Sequence, residues 1–148
     1  MGVILKQFEV QATRIPGIKL DNNEVKSSRC VADISRTLLG NKIAVREHVY
    51  AFYMNRANKI IGYAEISKGG ISGTVIESRI VCKVAIDLLA SGCIIVHNHP
   101  SGRMTPSSSD VRITEKIKKS LEVFDVDLLD HVVVTETNHY SFSDNSEI

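Results

Sequence analysis

The amino-acid sequence predicts an α/β domain, and three of its patterns carry that expectation. An amphipathic helical pattern from Ser78 to Ser91 runs directly into Cys93–Val96, an unbroken apolar run of strand-forming residues. A second helical pattern from Ser107 to about Glu122 leads into the strand-like stretch His131–Glu136. Upstream, Val49–Met54 and Lys59–Ile66 flank a polar turn and read as an antiparallel hairpin. Strand, helix and strand in succession form the core unit.

Taken in order, Gly2–Asn23 reads as a short strand and a connecting segment, with a turn at Pro16 and Gly17. Ser27 or Ser28 caps a helix whose apolar positions are Val31, Ile34, Leu38 and Leu39, and Gly40 stops it. The hairpin follows, with Glu47 just ahead of its first strand. The glycines at 69, 70 and 73 are too irregularly spaced for a phosphate-binding fingerprint and receive no cofactor role. Ile80, Val81, Val84, Ala85, Leu88 and Leu89 form one apolar face of the Ser78–Ser91 helix, with Gly92 as its C-terminal stop. In the last helix Ile113, Ile117 and Leu121 point inward, and Arg112, Lys116, Lys118 and Lys119 form a solvated basic stripe. Val123–Leu129 turns back, and Tyr140–Phe142 reads as a short final strand before a mobile polar tail.

A chain of 148 residues has the size of one domain. A net charge of +1 gives no general attraction to nucleic acid or to an anionic membrane. Cys30, Cys82 and Cys93 are an odd set in apolar patterns, which predicts free buried thiols and a reducing compartment. No apolar run approaches the roughly 20 residues that span a bilayer, and no signal segment is visible. A cytoplasmic protein without a membrane partner is the expectation.

The chemistry concentrates in CIIVHNHPSGRMTPSSSD, Cys93 to Asp110. Residues two apart on a strand share a face, so His97 and His99 can present their imidazoles together while Asn98 turns away. Pro100 ends the strand, and the loop from Ser101 can return Asp110 to the same point. Two imidazoles and a carboxylate leave a fourth position on zinc open to water, the arrangement of a catalytic site. Asp110 has a rival role, because Ser107–Asp110 also reproduces a capping box. Cys93 lies roughly 13 Å from His97 along the strand, too far for the same metal. His48, His131 and His139 stand outside the cluster as surface or hydrogen-bonded core residues.

Glu47 followed by His97, Asn98, His99, Pro100, Pro106, Ser107 and Asp110 resembles the JAMM (MPN+) metallopeptidase superfamily. Within it, SKGG at 67–70, HNHPSG at 97–102 and LLDH at 128–131 look like the bacterial RadC family. The resemblance implies a mixed β-sheet flanked by helices, the cytidine deaminase-like (JAMM/MPN) architecture, over residues 42–148. Residues 1–41 then form an N-terminal strand and helix segment packed on it. It implies zinc (Zn2+) as cofactor, with His97, His99 and Asp110 as ligands, Glu47 as general base and Ser107 as an assisting hydroxyl. Zinc of this kind lowers the pKa of bound water toward about 7. Glu65 and Glu77 read as surface charges. A zinc nucleoside deaminase is excluded, since its proline–cysteine pair and second cysteine are absent.

The expected function is a zinc-dependent metallohydrolase acting on a peptide or protein substrate, as a peptidase or isopeptidase. Superfamily isopeptidases carry serine or threonine where Asn98 stands, which argues against ubiquitin-like substrates. Longer RadC proteins carry an N-terminal helix-hairpin-helix region for which residues 1–41 are too short, so the family's DNA-repair label transfers weakly. The basic stripe is the sole sequence support for a nucleic-acid partner in a repair or mobile-element accessory role. A metal-dependent nuclease is the third reading. The sequence specifies no oligomeric state.

Overall fold

The computed structural model describes residue 7 and residues 13–69 and 75–148. Gly70 and Gly73 of the glycine-rich loop lie outside the described residues, as does most of the segment read as a first short strand. The element order is α1 (Ser28–Leu39), a 3-10 turn (Gly40–Ala44), β1 (His48–Met54), β2 (Ile60–Lys68), α2 (Ser78–Asp87), β3 (Gly92–Asn98), α3 (Ser108–Glu122), β4 (Asp127–Val134) and β5 (His139–Ser141).

The five strands form one mixed sheet in the order β2-β1-β3-β4-β5, in which only β3 and β4 run parallel. The parallel pair is joined through α3, as a crossover connection requires. Alternation along β1 and β3 divides the core in two. Val49, Ala51, Tyr53, Cys93 and Ile95 meet Val81, Ala85, Ile117 and Leu121 of α2 and α3. Tyr50, Phe52, Met54, Ile94 and Val96 meet Val31, Ala32, Ile34 and Leu39 of α1. Both faces of the central strands are covered, which is why β1 and β3 are buried from end to end. This is the α/β sandwich that the residue pattern and the family resemblance predict.

Several local expectations are corrected. Helix α2 ends at Asp87, before the expected Ser91. Its end is a Schellman turn: Ala90 N–H donates to the Ala85 carbonyl, and Leu89 N–H to that of Ile86, both at 3.0 Å. The left-handed position falls on Leu89, with φ 50°. Gly92 is therefore not the stop but the first residue of β3, where a Cβ would lie 2.6 Å from Leu129 Cδ1. Strand β4 starts at Asp127, inside the segment read as a return loop. Its polar residues break the apolar pattern, yet Asp130 is buried because Ser141 Oγ (2.6 Å), Ser143 N–H (3.0 Å) and His131 N–H (2.7 Å) donate to its carboxylate.

No turn or bend forms at Pro16 and Gly17, where the described chain is irregular, and Ile18 N–H donates to the Tyr63 hydroxyl. The polar C-terminal tail is tied down. Glu147 N–H donates to the Phe142 carbonyl, Asn145 to that of Ser141, and Ile148 packs against the α2–α3 core. Cys82 and Cys93 are buried and free, whereas Cys30 is only half-buried. No helix of the described residues is long and apolar enough to cross a membrane.

Candidate metal centre

The alternation that builds the core also aims the site. On β3, His97 continues the face of Cys93 and Ile95 toward α3, and Asn98 continues that of Ile94 and Val96 toward α1. His99 follows the strand end, where its N–H donates to the Val134 carbonyl. A turn through Gly102, with φ 79°, brings the chain back so that His99 Nδ1 donates to the Arg103 carbonyl at 2.7 Å. A carbonyl has no proton to give, so in the neutral ring Nδ1 carries the hydrogen and Nε2 presents a lone pair. His97 Nε2 and His99 Nε2 lie 2.9 Å apart.

Asp110 enters from the first turn of α3 and does two things at once. Its Oδ2 accepts from Ser107 N–H (2.6 Å) and Ser107 Oγ–H (2.8 Å), while Ser107 Oγ accepts from Asp110 N–H (3.1 Å). The capping box is complete. The same carboxylate faces the histidines, with Oδ1 3.4 Å from His97 Nε2 and Oδ2 3.6 Å from His99 Nε2. Capping and ligation are therefore compatible, because the carboxylate has lone pairs for both.

One ligand atom each from His97, His99 and Asp110 lie within 4.8 Å of one another. Ligands about 2.0–2.2 Å from a tetrahedral zinc are separated from each other by about 3.3–3.6 Å. The nearest-atom distances of 2.9, 3.4 and 3.6 Å lie within or somewhat below that range, His97 approaching Oδ1 of Asp110 and His99 approaching Oδ2. The donor set of two imidazole nitrogens and one carboxylate oxygen thus fits a divalent metal with an open coordination position. Electrostatics agree. Burial pushes the Asp110 carboxyl upward, but the adjacent His97 and His99 rings outweigh it and hold the group well below the usual carboxylate range. Asp110 in turn raises His99 above the ordinary histidine value against the effect of burial, helped by the Arg103 carbonyl and by Glu47.

Glu47 precedes β1, and the antiparallel register that pairs Val49 with His97, continued two residues past that last pair, brings it level with His99. Asn98 holds it there. The buried Asn98 amide donates to the Ile43 (2.7 Å) and Arg46 (2.9 Å) carbonyls, and its oxygen accepts from His48 N–H (2.7 Å). Gly69 N–H fixes the Glu47 carbonyl at 2.8 Å. The rival glutamates are elsewhere. Glu65 on β2 bonds His48 Nδ1 at 2.8 Å and Tyr50; His48 and Lys68 hold its carboxyl low against burial. Glu77 is the N-cap residue of α2 and pairs with Arg79.

Three residues at the site escaped sequence reasoning. Asn98 is one. The others are His131, fully buried with Nε2 2.8 Å from His97 Nδ1, and Thr114, whose Oγ1 is 2.6 Å from His131 Nδ1. The available signal was a histidine inside the apolar β4 run, which burial tolerates only with hydrogen-bond partners. His139 lies apart, bonded to Ser28 Oγ at 3.1 Å. On α3, Arg112, Lys116 and Lys119 are exposed as expected, and Lys118 is half-buried.

Comparison with known proteins finds that residues 25–147 match the RadC-like JAB domain. A UPF0758 protein of Flavobacterium johnsoniae is 41% identical over 121 residues, 82% of this chain and 52% of that relative. A UPF0758 protein of Streptococcus thermophilus is 36% identical over 147 residues, 99% of this chain and 64% of the relative. The chain thus spans between about half and two thirds of the length of these relatives.

Proposed function

The chain belongs to the RadC-like JAB domain family, and from that membership we propose that it is a zinc-dependent hydrolase of peptide or isopeptide bonds in a protein substrate. The observation that carries this reading is the convergence of His97, His99 and Asp110 at metal-ligand spacing. His97 Nε2, His99 Nε2 and the Asp110 carboxylate would hold the metal. When bound, zinc supplies a Lewis acid that makes a water nucleophilic near neutral pH.

The protein's own groups supply the rest. The Glu47 carboxylate takes a proton from the attacking water and returns it to the departing amine nitrogen, the acid–base service that amide cleavage needs. The Ser107 hydroxyl donates to Asp110 Oδ2 in this arrangement. Stabilising a developing oxyanion asks the hydroxyl hydrogen to turn about the Cβ–Oγ bond and exchange that bond for one to substrate. Asp110 keeps its backbone cap bond from Ser107 N–H during the exchange. Cys82 and Cys93 take no part, since burial raises both thiols above their usual values.

Metal analysis of purified protein tests the premise. Roughly one zinc per chain is expected in the parent and none in His97→Ala or Asp110→Ala. A parent that is stable and takes up no divalent metal would sink the proposal. Glu47→Gln should keep its zinc and lose hydrolysis by ~10² or more. Assaying the zinc-loaded parent on unfolded protein and on nucleic acid decides the substrate polymer, and cleavage of nucleic acid alone would replace the peptidase reading with a nuclease.

A further inference from the structure

Behind His97, away from the open side of the site, lies a run of hydrogen bonds in which every proton has only one place to be. Thr114 Oγ1 is 2.6 Å from the Asp110 carbonyl oxygen. A carbonyl only accepts, so the Thr114 hydroxyl hydrogen is committed to it. The same Oγ1 lies 2.6 Å from His131 Nδ1. With its hydrogen spent, the hydroxyl can only accept, so His131 Nδ1 carries a hydrogen. Among the described residues no carboxylate bonds the His131 ring, whose nitrogens meet Thr114 and His97. A charged imidazole there would be buried with no carboxylate hydrogen-bonded to it, so the ring is neutral and its Nε2 is bare. That bare Nε2 is 2.8 Å from His97 Nδ1, which must therefore donate. His97 Nε2 is left with its lone pair, facing His99 Nε2 at 2.9 Å and the Asp110 carboxylate.

We propose that Thr114 and His131 are positioning residues that lock His97 in its Nδ1–H tautomer, presenting Nε2 as a ready metal ligand. The inference rests on the zinc reading above and deepens it. The relay starts at the backbone of the residue that supplies the third ligand. Asp110 and Thr114 are one helical turn apart on α3, so this turn contributes one ligand through the Asp110 side chain and orients another through the Asp110 carbonyl. His97, Thr114 and His131 are 2%, 3% and 0% exposed, which keeps water from competing for these bonds. Phe142, stacked on His131 at 5.0 Å and 9° between planes, fixes the plane of the relay ring. Hydrogen bonds to the second nitrogen of a ligating histidine typically govern affinity by 10–100-fold.

Two measurements test the lock. The first is the nitrogen-15 spectrum of the histidine rings in chelator-stripped protein at mildly alkaline pH. The Nδ1–H, bare-Nε2 pattern is expected for His97 in the parent and in Thr114→Ser, with a shift toward Nε2–H in Thr114→Val. The second is zinc affinity against a competing chelator. Thr114→Ser should bind like the parent, and Thr114→Val should bind about 10–100-fold more weakly with unchanged circular dichroism. Parent-like affinity in a folded Thr114→Val, or an Nε2–H His97 in the parent, overturns the proposal. Should Thr114→Val fail to fold, the parent's tautomer alone decides. If the parent shows the expected tautomer yet binds no zinc, the metal reading fails while the tautomer lock stands.

Discussion

Asn98 sits between two candidate metal ligands and takes no part in holding a metal. Its amide satisfies two carbonyls and one N–H of the segment that carries Glu47, joining the strand that supplies the histidines to the segment that supplies the base. Serine or threonine, with a single hydroxyl, cannot make all three bonds from this position. Asn98→Ala should cost about 2–4 kcal/mol, because buried carbonyls and an N–H lose their partners and a cavity opens. Urea unfolding measures the cost. Hydrogen exchange should accelerate at Arg46–His48 ahead of the rest of the sheet, and unchanged protection there would remove Asn98 from this role.

At the scale of elements, the C-terminus of α2 shows how a cap can be made by the wrong residue type. Leu89 holds the left-handed position of a Schellman turn and is 88% exposed, so its side chain contributes little packing to offset the backbone strain. Leu89→Gly should therefore stabilise the protein by about 1 kcal/mol, visible as a rise in thermal midpoint without any change in metal content. A fall in midpoint would mean that the leucine is packed in a way its exposure does not reveal. Helix α3 is the contrasting case. Its N-terminus uses the favoured serine and an acidic residue, and the acidic residue also serves the candidate site.

For the molecule as a whole, two histidines of the metal-free site pull stability in opposite directions with pH. His131 is held well below its ordinary value of 6.5 by burial and by its neighbour His97. Its contribution is intact above 6.5 and is lost as pH falls, because the unfolded chain takes up a proton that the folded one refuses. His99 is raised above 6.5, chiefly by Asp110, so its contribution is intact below 6.5 and is lost as pH rises through its folded value. The thermal midpoint of chelator-treated protein should thus peak near 6.5. Zinc should flatten the alkaline side, since a ligated His99 no longer exchanges that proton. A metal-free midpoint independent of pH between about 5 and 8 would show that neither ring is perturbed in the folded state.

Most features carried by short-range pattern were legible in the chain alone. Periods of two and of 3.6 residues placed the hairpin, the three helices and β3, and two-residue alternation put His97 and His99 on one side of Asn98. A serine followed three residues later by an acid marked the start of α3. The dual use of Asp110 was not legible, because both roles call for the same residue type and differ only in the direction of its oxygens. Gly92 looked like a helix stop because a glycine after an apolar helix usually is one, yet its small size answers to Leu129, a neighbour from a different strand. The tertiary structure alone decided the rest. It set the register that brings Glu47 level with His99, the Asn98 bonds that hold it there, and the placement of Thr114 and His131 behind His97. The physical reason is common to all of these. Hydrogen bonds between residues distant in the chain depend on how the strands and helices pack, and no local periodicity encodes that packing.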